Sequence, residues 1–492
     1  MALKFYNTLT GSLDEFVSQT EGKALVYTCG PTVYDYPHIG NWAAYVYWDV
    51  LIRILIANNY EVDRVMNITD VGHLVSDADE GEDKLEKGAH RENKTAWEIA
   101  EFYTNDFIAG IKQLNLVIPQ HLAKATDYIP QQLDLIRKLK EKGFTYQIND
   151  GIYFDTSKFT NYANFAHLNL DELKAGVRVK FNPEKRNHSD FALWKFTPSD
   201  EKRDMEWKTP VDLLESNANL AVGNAPVNGF PGWHLECSAM AMSILGQTID
   251  IHTGGIDHIP VHHTNEIAQS EAASGVRFSN YWLHNNHLKV NGTKISKSLG
   301  NGYTLSDLSK KGFSPIDFRM FVLQSNYKSE GNFTFENLQS AKNRLHNWRN
   351  IAAIRHQIND TLQNDEQKVG ENKSVALFAT SQAMIEAIDN DLGTPQALVI
   401  IDDAFAKMTN SHLENINRHA FIHLLETIDS LLGLQLIDST PDISDEIKQI
   451  ILERNQARIQ KDWTKSDKLR DQLSKLGIIL RDNDKNSIWE YK

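Results

Sequence analysis

Only two cysteines occur among the 492 residues, Cys29 and Cys237. A disulfide-stapled scaffold is therefore excluded, and each thiol is either inert and buried or kept, in a reducing compartment, for catalysis or a metal. Long apolar runs are missing too, since no stretch approaches the roughly 20 residues that span a bilayer. The opening MALKFYNTLTGSLDEF lacks the basic-then-apolar layout of a signal peptide. A cytoplasmic address with no membrane partner is the expectation. Positive charge is also in deficit, 51 Lys and Arg against 65 Asp and Glu, for a formal charge of −14. By itself this weighs against a nucleic-acid partner, because phosphates are met by cations. Distribution can override the sum: between Leu452 and Lys485 lie Arg454, Arg458, Lys461, Lys465, Lys468 and Arg470, among others. That segment is either a basic face or a solvated helix, with Asp462, Asp467 and Asp471 interspersed.

What is present is ordinary globular material, 41% hydrophobic and 24% charged, enough for two to four domains. Ala24 to Cys29 is a short apolar run, Gly30-Pro31-Thr32 a turn, Trp42 to Ala57 a long apolar stretch, and Tyr60 to Thr69 a β-rich segment. This order predicts a βαβ unit with a parallel sheet. Asp77 to Asn93 is charged and poor in large apolar residues, which reads as an exposed loop or frayed helix. From Gln113 to Asn228 the pattern is mixed: a helix near Pro130 to Gly143, strands near Gly151 to Phe154 and Val177 to Phe181, and a loose stretch from Thr209 to Asn228. It reads as an insertion. Sheet character returns at Thr248 to His252, followed by a helix from about His262 to Ser274 and a glycine-bearing loop, Asn291 to Asn301. Beyond Phe335 the spacing is helical, over Phe335 to Ile358, Ser374 to Asn390, Thr394 to Thr409 and Arg418 to Leu432, before a short β-like run at Gly477 to Asp482.

Two segments suit a triphosphate. Pro37-His38-Ile39-Gly40-Asn41 sits between the first strand and the first helix, where helix amides and the macrodipole favour anions. Gly40 lets a ring approach the backbone, although a lone histidine there commonly does no more than start a helix. Downstream, Lys294-Ile295-Ser296-Lys297-Ser298 places two lysines on a loop that can close over phosphates, or that is simply exposed. Together the two resemble the HIGH and KMSKS signatures of class I aminoacyl-tRNA synthetases. The resemblance implies a Rossmann-type domain that activates an amino acid with ATP and Mg²⁺ and passes it to tRNA.

A third constellation suggests which amino acid. His262-His263-Thr264-Asn265-Glu266 places His262 and Glu266 four apart on one helix face. A surface ion pair is the commoner meaning of that spacing alone. With Cys29 and Cys237 the set becomes two thiols, an imidazole and a carboxylate, which suits Zn²⁺. Cys29 lies just before the HIGH-like loop, where substrate must sit, and a substrate thiolate binds zinc far better than a serine hydroxyl does. The pattern resembles cysteinyl-tRNA synthetases along nearly the whole chain, through Tyr27 to Asp35, Asn67 to Asp70, Asp190 to Lys195, Pro231 to Met240, Asp250 to Ser270 and Ser466 to Asp471.

That resemblance implies one zinc on Cys29, Cys237, His262 and Glu266. It implies a cysteine pocket lined by Gly30, Thr69 and Trp233. ATP contacts would come from His38, Gly40, Asn41, Gly254, Gly255, Asp257, Lys294 and Lys297, with His38 and Lys297 serving the chemistry. The partners implied are L-cysteine, ATP and tRNA(Cys), and a monomer is expected. The architecture implied is α/β: a Rossmann-type catalytic domain (1–112 and 229–290) split by an insertion (113–228), a KMSKS-like loop and stem-contact region (291–345), a helical bundle for the anticodon (346–435) and a small mixed module (436–492). Departures from the family pattern are Asn41 at the fourth HIGH position, Ile295 at the second KMSKS position and Thr264 where glutamate is usual. The stretch from Val71-Gly72-His73 onward and the segment Thr209 to Asn228 also differ. Two rivals stay open: a core-only ligase that joins cysteine to an amino sugar, and a synthetase-like protein that binds tRNA without catalysis.

Overall fold

The computed structural model describes residues 2–71, 84–166, 182–198, 202–215, 227–358, 372–409, 413, 416–482 and 487–492. They divide into two compact units, Ala2–Lys310 with Tyr327–Asn332, and Lys311–Asn326 with Phe333–Lys492.

The first unit is built on five parallel strands: β1 (Lys23–Thr28), β2 (Glu61–Ile68), β3 (His121–Lys124), β4 (Ile249–Gly255) and β5 (Ser279–Asn285), in spatial order β5-β4-β1-β2-β3. β4 is buried along nearly its whole length, as expected of a parallel strand covered on both faces by helices. The helices of this unit include α1 (Ile39–Ala57), α2 (Ala96–Gln113), α3 (Trp233–Ile244) and α4 (Thr264–Ser274). α1 buries residues all round its axis, from Ile39 to Leu55, and so is a core helix. The chain grows outward from β1 through β2 to β3, then returns to the other side of β1 as β4. Strand order reverses between β1 and β4, and in open α/β sheets the crevice at such a point is where ligands bind.

Between β3 and β4 the chain makes a second, antiparallel sheet in the order Thr145–Ile148, Gly151–Phe154, Phe191–Phe196, Asn228–Pro231, Trp207–Lys208. Buried Trp194 anchors it, its Nε1 donating to Thr209 Oγ1 at 2.9 Å. The parallel sheet is thus interrupted in the chain by a sheet of a different kind.

The second unit carries α5 (Phe335–Ala353), α6 (Asn372–Asp389), α7 (Thr394–Thr409), α8 (Arg418–Leu432), α9 (Asp445–Ile459) and α10 (Trp463–Lys475), then a hairpin of β6 (Ile478–Asp482) and β7 (Ser487–Tyr491). Ile451, Leu473, Ile478, Leu480 and Trp489 form the core of the last module. No helix among the described residues is long and apolar enough to cross a membrane.

Several expectations change. Residues 84–92, read as loop or frayed helix, form a helix with Leu85 and Ala89 buried, while 72–83 lie outside the described residues. The strand expected at Val177 to Phe181 lies outside them too, as does 216–226 of the loose stretch. The strand after Thr248 runs on to Gly255. Finally, His262 does not sit in an α-helix: Ile259–His263 is a π-helical turn, and α4 begins at Thr264. A single turn is too short for hydrophobic period to separate the two helix types.

Candidate active site and metal centre

One cavity of about 620 Å³ opens at the carboxyl edge of β1 and β4. Cys29 follows β1 directly, its backbone N–H donating to Thr253 O at 3.1 Å across to β4. Gly30 comes next, and its N–H donates to Asn67 Oδ1 at 2.7 Å. A Cβ at Gly30 would lie 1.7 Å from Asn67 O, so no other residue fits this backbone. Asn67 Nδ2 in turn donates to Thr69 Oγ1 at 3.1 Å, which ties the two sides of the pocket together.

The four candidate ligands come together here. One donor atom from each of Cys29, Cys237, His262 and Glu266 can be chosen so that all lie within 4.8 Å of one another. A second set, Cys29, His252, His263 and Glu266, satisfies the same distance. The first fits an ion that a substrate must reach, because Cys29, Cys237 and His262 line the cavity and His252 and His263 do not. It also offers two thiolates to a metal that favours them. Glu266 Oε1 is buried and lies 2.8 Å from His262 Nε2, an ion pair when the imidazole is protonated. A cation held between them would take the place of the proton that pairs them.

Electrostatics support the same reading. The Cys237 thiol is pushed down to about 6, first by its hydrogen bond with Cys29 and also by His262, against the effect of burial. Burial pushes the Cys29 thiol well up, and its bond to Cys237 adds to that. Burial opposes a charge on His262, but Glu266 and Cys237 outweigh it and raise it to about 10. Burial likewise opposes a charged Glu266, yet His252 and His262 hold it well below the carboxylate range. Cys237 and Glu266 on one side and His262 on the other thus favour each other's charged forms, and acidic groups so gathered suit a cation.

The phosphate side is more constrained than its sequence suggests. His38 is the N-cap of α1: its Nδ1 accepts from Gly40 N at 3.1 Å and Asn41 N at 3.3 Å, while Asn41 Oδ1 accepts from His38 N at 3.1 Å. Asparagine at the fourth HIGH position thus closes a capping box. Ile39 N donates to Tyr303 O at 2.8 Å. The first three amides of α1 are all engaged, which corrects the expectation that they are offered to phosphate. What the helix start presents instead is the His38 ring, whose Nδ1 accepts and whose neutral form therefore carries its proton on Nε2.

The KMSKS-like segment leaves a hairpin, Leu288–Val290 with Thr293–Lys294, turned by Asn291 and Gly292 at φ of 50° and 74°. Both positive φ values are those of a type I′ turn. Asn301 folds the loop back, its Oδ1 accepting from Ser296 N at 2.9 Å and its Nδ2 donating to Lys294 O at 3.2 Å. Lys294, Ile295 and Ser296 line the cavity. The Lys297 backbone begins the turn Lys297–Leu299, and its side chain lies outside what is described.

Of the residues singled out from the sequence, Gly30, Thr69 and Trp233 line this cavity, and so do His38, Gly40, Asn41, Gly254, Gly255 and Asp257. The Trp233 ring stacks on His262 with centroids 4.1 Å apart. Glu266 is buried behind the wall rather than in it.

A family model for the class I (C) tRNA synthetase catalytic domain matches residues 15–343, and one for the cysteinyl-tRNA ligase anticodon binding domain matches 440–489. A cysteine-tRNA ligase of Treponema denticola is 40% identical, over 100% of both chains. The chain belongs to the cysteine-tRNA ligases, a family of class I aminoacyl-tRNA synthetases. Cysteine-tRNA ligase 1 of Burkholderia lata is 39% identical over 98% of this chain and 95% of its own. A solved methionyl-tRNA synthetase of Mycobacterium tuberculosis shares the fold at a TM-score of 0.58 with 15% identity, over 87% of this chain and 94% of that one.

Within this cysteine-tRNA ligase fold, sequence reasoning missed the residues that hold the ligands. His252 Nε2 meets Glu266 Oε2 at 2.7 Å, and His234 Nδ1 meets His262 Nδ1 at 2.9 Å. Each fixes one atom of a candidate ligand and leaves the other free to face a metal. The crowding of His234, His252, His258, His262, His263 and His284 into one stretch was the available signal.

Proposed function

We propose that this chain activates L-cysteine with ATP and Mg²⁺ and transfers it to the 3′ end of tRNA(Cys), with zinc held by Cys29, Cys237, His262 and Glu266. The observation that carries the reading is the convergence of both cysteines of the chain with an imidazole on the wall of one cavity, and of a buried carboxylate directly behind it. Zinc held by these four residues would prefer a thiolate to a hydroxyl, and that preference is the chemistry it would supply to the choice of amino acid.

The remaining work falls to the chain. Gly30, Thr69 and Trp233 shape a pocket in which Asn67 fixes both Gly30 and Thr69. Attack of the cysteine carboxylate on the α-phosphate needs positioning and charge neutralisation, with no protein nucleophile. The Nε2–H of His38 donates to phosphate oxygen, and Lys294 and Lys297 offset the charge that grows on departing pyrophosphate. Gly254 and Gly255 allow adenosine to approach the end of β4, where Asp257 faces its ribose. Anticodon reading belongs to the bundle and the tail, the latter the stretch covered by the anticodon-domain model.

The test is cysteine-dependent exchange of pyrophosphate into ATP, run with zinc-loaded and chelated protein and followed by tRNA charging. Exchange that needs zinc, together with charging, is expected. Exchange without charging would indicate the amino-sugar ligase, and no exchange in the zinc-loaded protein would overturn both enzyme readings.

A further inference from the structure

Two large rings stand half in water, one on the lining of the cavity and the other against it. Tyr36, in the loop between β1 and α1, lines the cavity and is 44% exposed, and Phe102 on α2 is exposed to the same degree. Their centroids are 6.1 Å apart, edge to face. Beneath them the buried ring of Tyr103 touches both, 5.0 Å from Tyr36 and 5.1 Å from Phe102. Lys94, itself exposed, holds its Nζ 4.9 Å from the Phe102 centroid.

Scattered exposed aromatics need no explanation, but a pair fixed from below by a third ring and continuous with a reaction cavity is a built surface. We propose that Tyr36 and Phe102 form a stacking platform for the single-stranded 3′ end of the tRNA. The inference rests on the tRNA-charging reading. In that reaction the ribose of the last nucleotide must reach an activated carboxyl inside the cavity, so the nucleotides before it cross the rim that Tyr36 forms. Unpaired bases offer flat faces to aromatic rings, and such stacking needs no particular base. Lys94, which lies over the Phe102 ring, gives up that face to a base and turns to the strand's phosphates.

The test compares Phe102→Ala, Phe102→Trp and Phe102→Leu in two assays, charging at varied tRNA concentration and tRNA-independent pyrophosphate exchange. Phe102→Ala is expected to raise KM for tRNA ~10-fold beyond any change in exchange, Phe102→Leu to behave like it, and Phe102→Trp to stay near wild type. Trp97→Ala is the control, since that exposed ring on the same helix already rests on Trp207 and donates from Nε1 to Asp204 O at 3.1 Å. It should move neither assay. With tRNA lacking its terminal CCA, wild type and Phe102→Ala should bind equally. An unchanged KM, an equal loss in both assays, or a difference that persists on truncated tRNA overturns the platform. A wild-type protein that exchanges no pyrophosphate would instead overturn the function beneath it.

Discussion

Gly30 and Asn67 leave the pocket no slack. Because a Cβ at position 30 would overlap a backbone oxygen, Gly30→Ala must displace the strand end that bears Cys29. Misplacement of about 1 Å costs on the order of 10²-fold in rate, so cysteine-dependent exchange should fall by about that factor. A near-normal rate would mean that the pocket relaxes at little cost. At the proposed metal site, Cys237→Ser keeps nearly the same volume and would remove a soft ligand. Zinc content by elemental analysis should drop and activation vanish, while circular dichroism stays that of the parent. A variant that keeps full activity without metal would refute the assignment. At this scale the sequence was informative where chemistry is carried by residue type, as with the two cysteines, and uninformative where it depends on neighbours. His234 and His252 reach the ligands only because α3, β4 and α4 are packed together, and no spacing along the chain shows that.

Individual elements carry their own tests. Asn301 makes two hydrogen bonds that fold the KMSKS-like loop, so Asn301→Ala should slow pyrophosphate exchange about tenfold by loosening a loop that has to close in the transition state. An unaltered rate would show that the loop closes without that clamp. In the last module Arg454, 3% exposed, binds Asp482 with two nitrogens at 2.8 and 2.7 Å, and Arg458 joins them. The hydrogen bond from Arg454 leads in lowering the Asp482 carboxyl to about 2, against burial. A depressed carboxyl stabilises the fold fully above its unfolded value, about 3.9, and this contribution is lost as pH falls through about 2. Asp482→Asn should therefore cost about 1.5–3 kcal/mol at neutral pH, with the gap to wild type closing between pH 4 and 2 in denaturant titrations. A gap that does not depend on pH would contradict the ion-pair account. Element boundaries were legible wherever a cap or a breaker stood at the end, as at Thr394 and Gly433. They failed at Ile259–His263, where a π-turn replaces helix; at His38 the helix start was one of the two meanings the sequence allowed, and the cap agrees with it.

For the whole molecule, a formal charge of −14 sits with a polyanionic partner only if recognition is local. In the segment matched by the anticodon-domain model, Trp463 is 59% exposed, with Lys461 and Lys465 exposed nearby. Trp463→Ala should raise KM for tRNA about tenfold through lost base stacking and leave cysteine-dependent exchange as it was; equal effects on both would point to general unfolding. The order of strand, insertion, returning strand and helices could be read from changes of hydrophobic period, whereas the adjacency of β1 and β4, which makes the site, could not. The central claim is that zinc on Cys29, Cys237, His262 and Glu266 selects cysteine by its sulfur. Zinc K-edge absorption of the purified protein tests this most directly. Two sulfur neighbours are expected without substrate, three with cysteine and two with serine; a sulfur count that cysteine leaves unchanged would contradict the account.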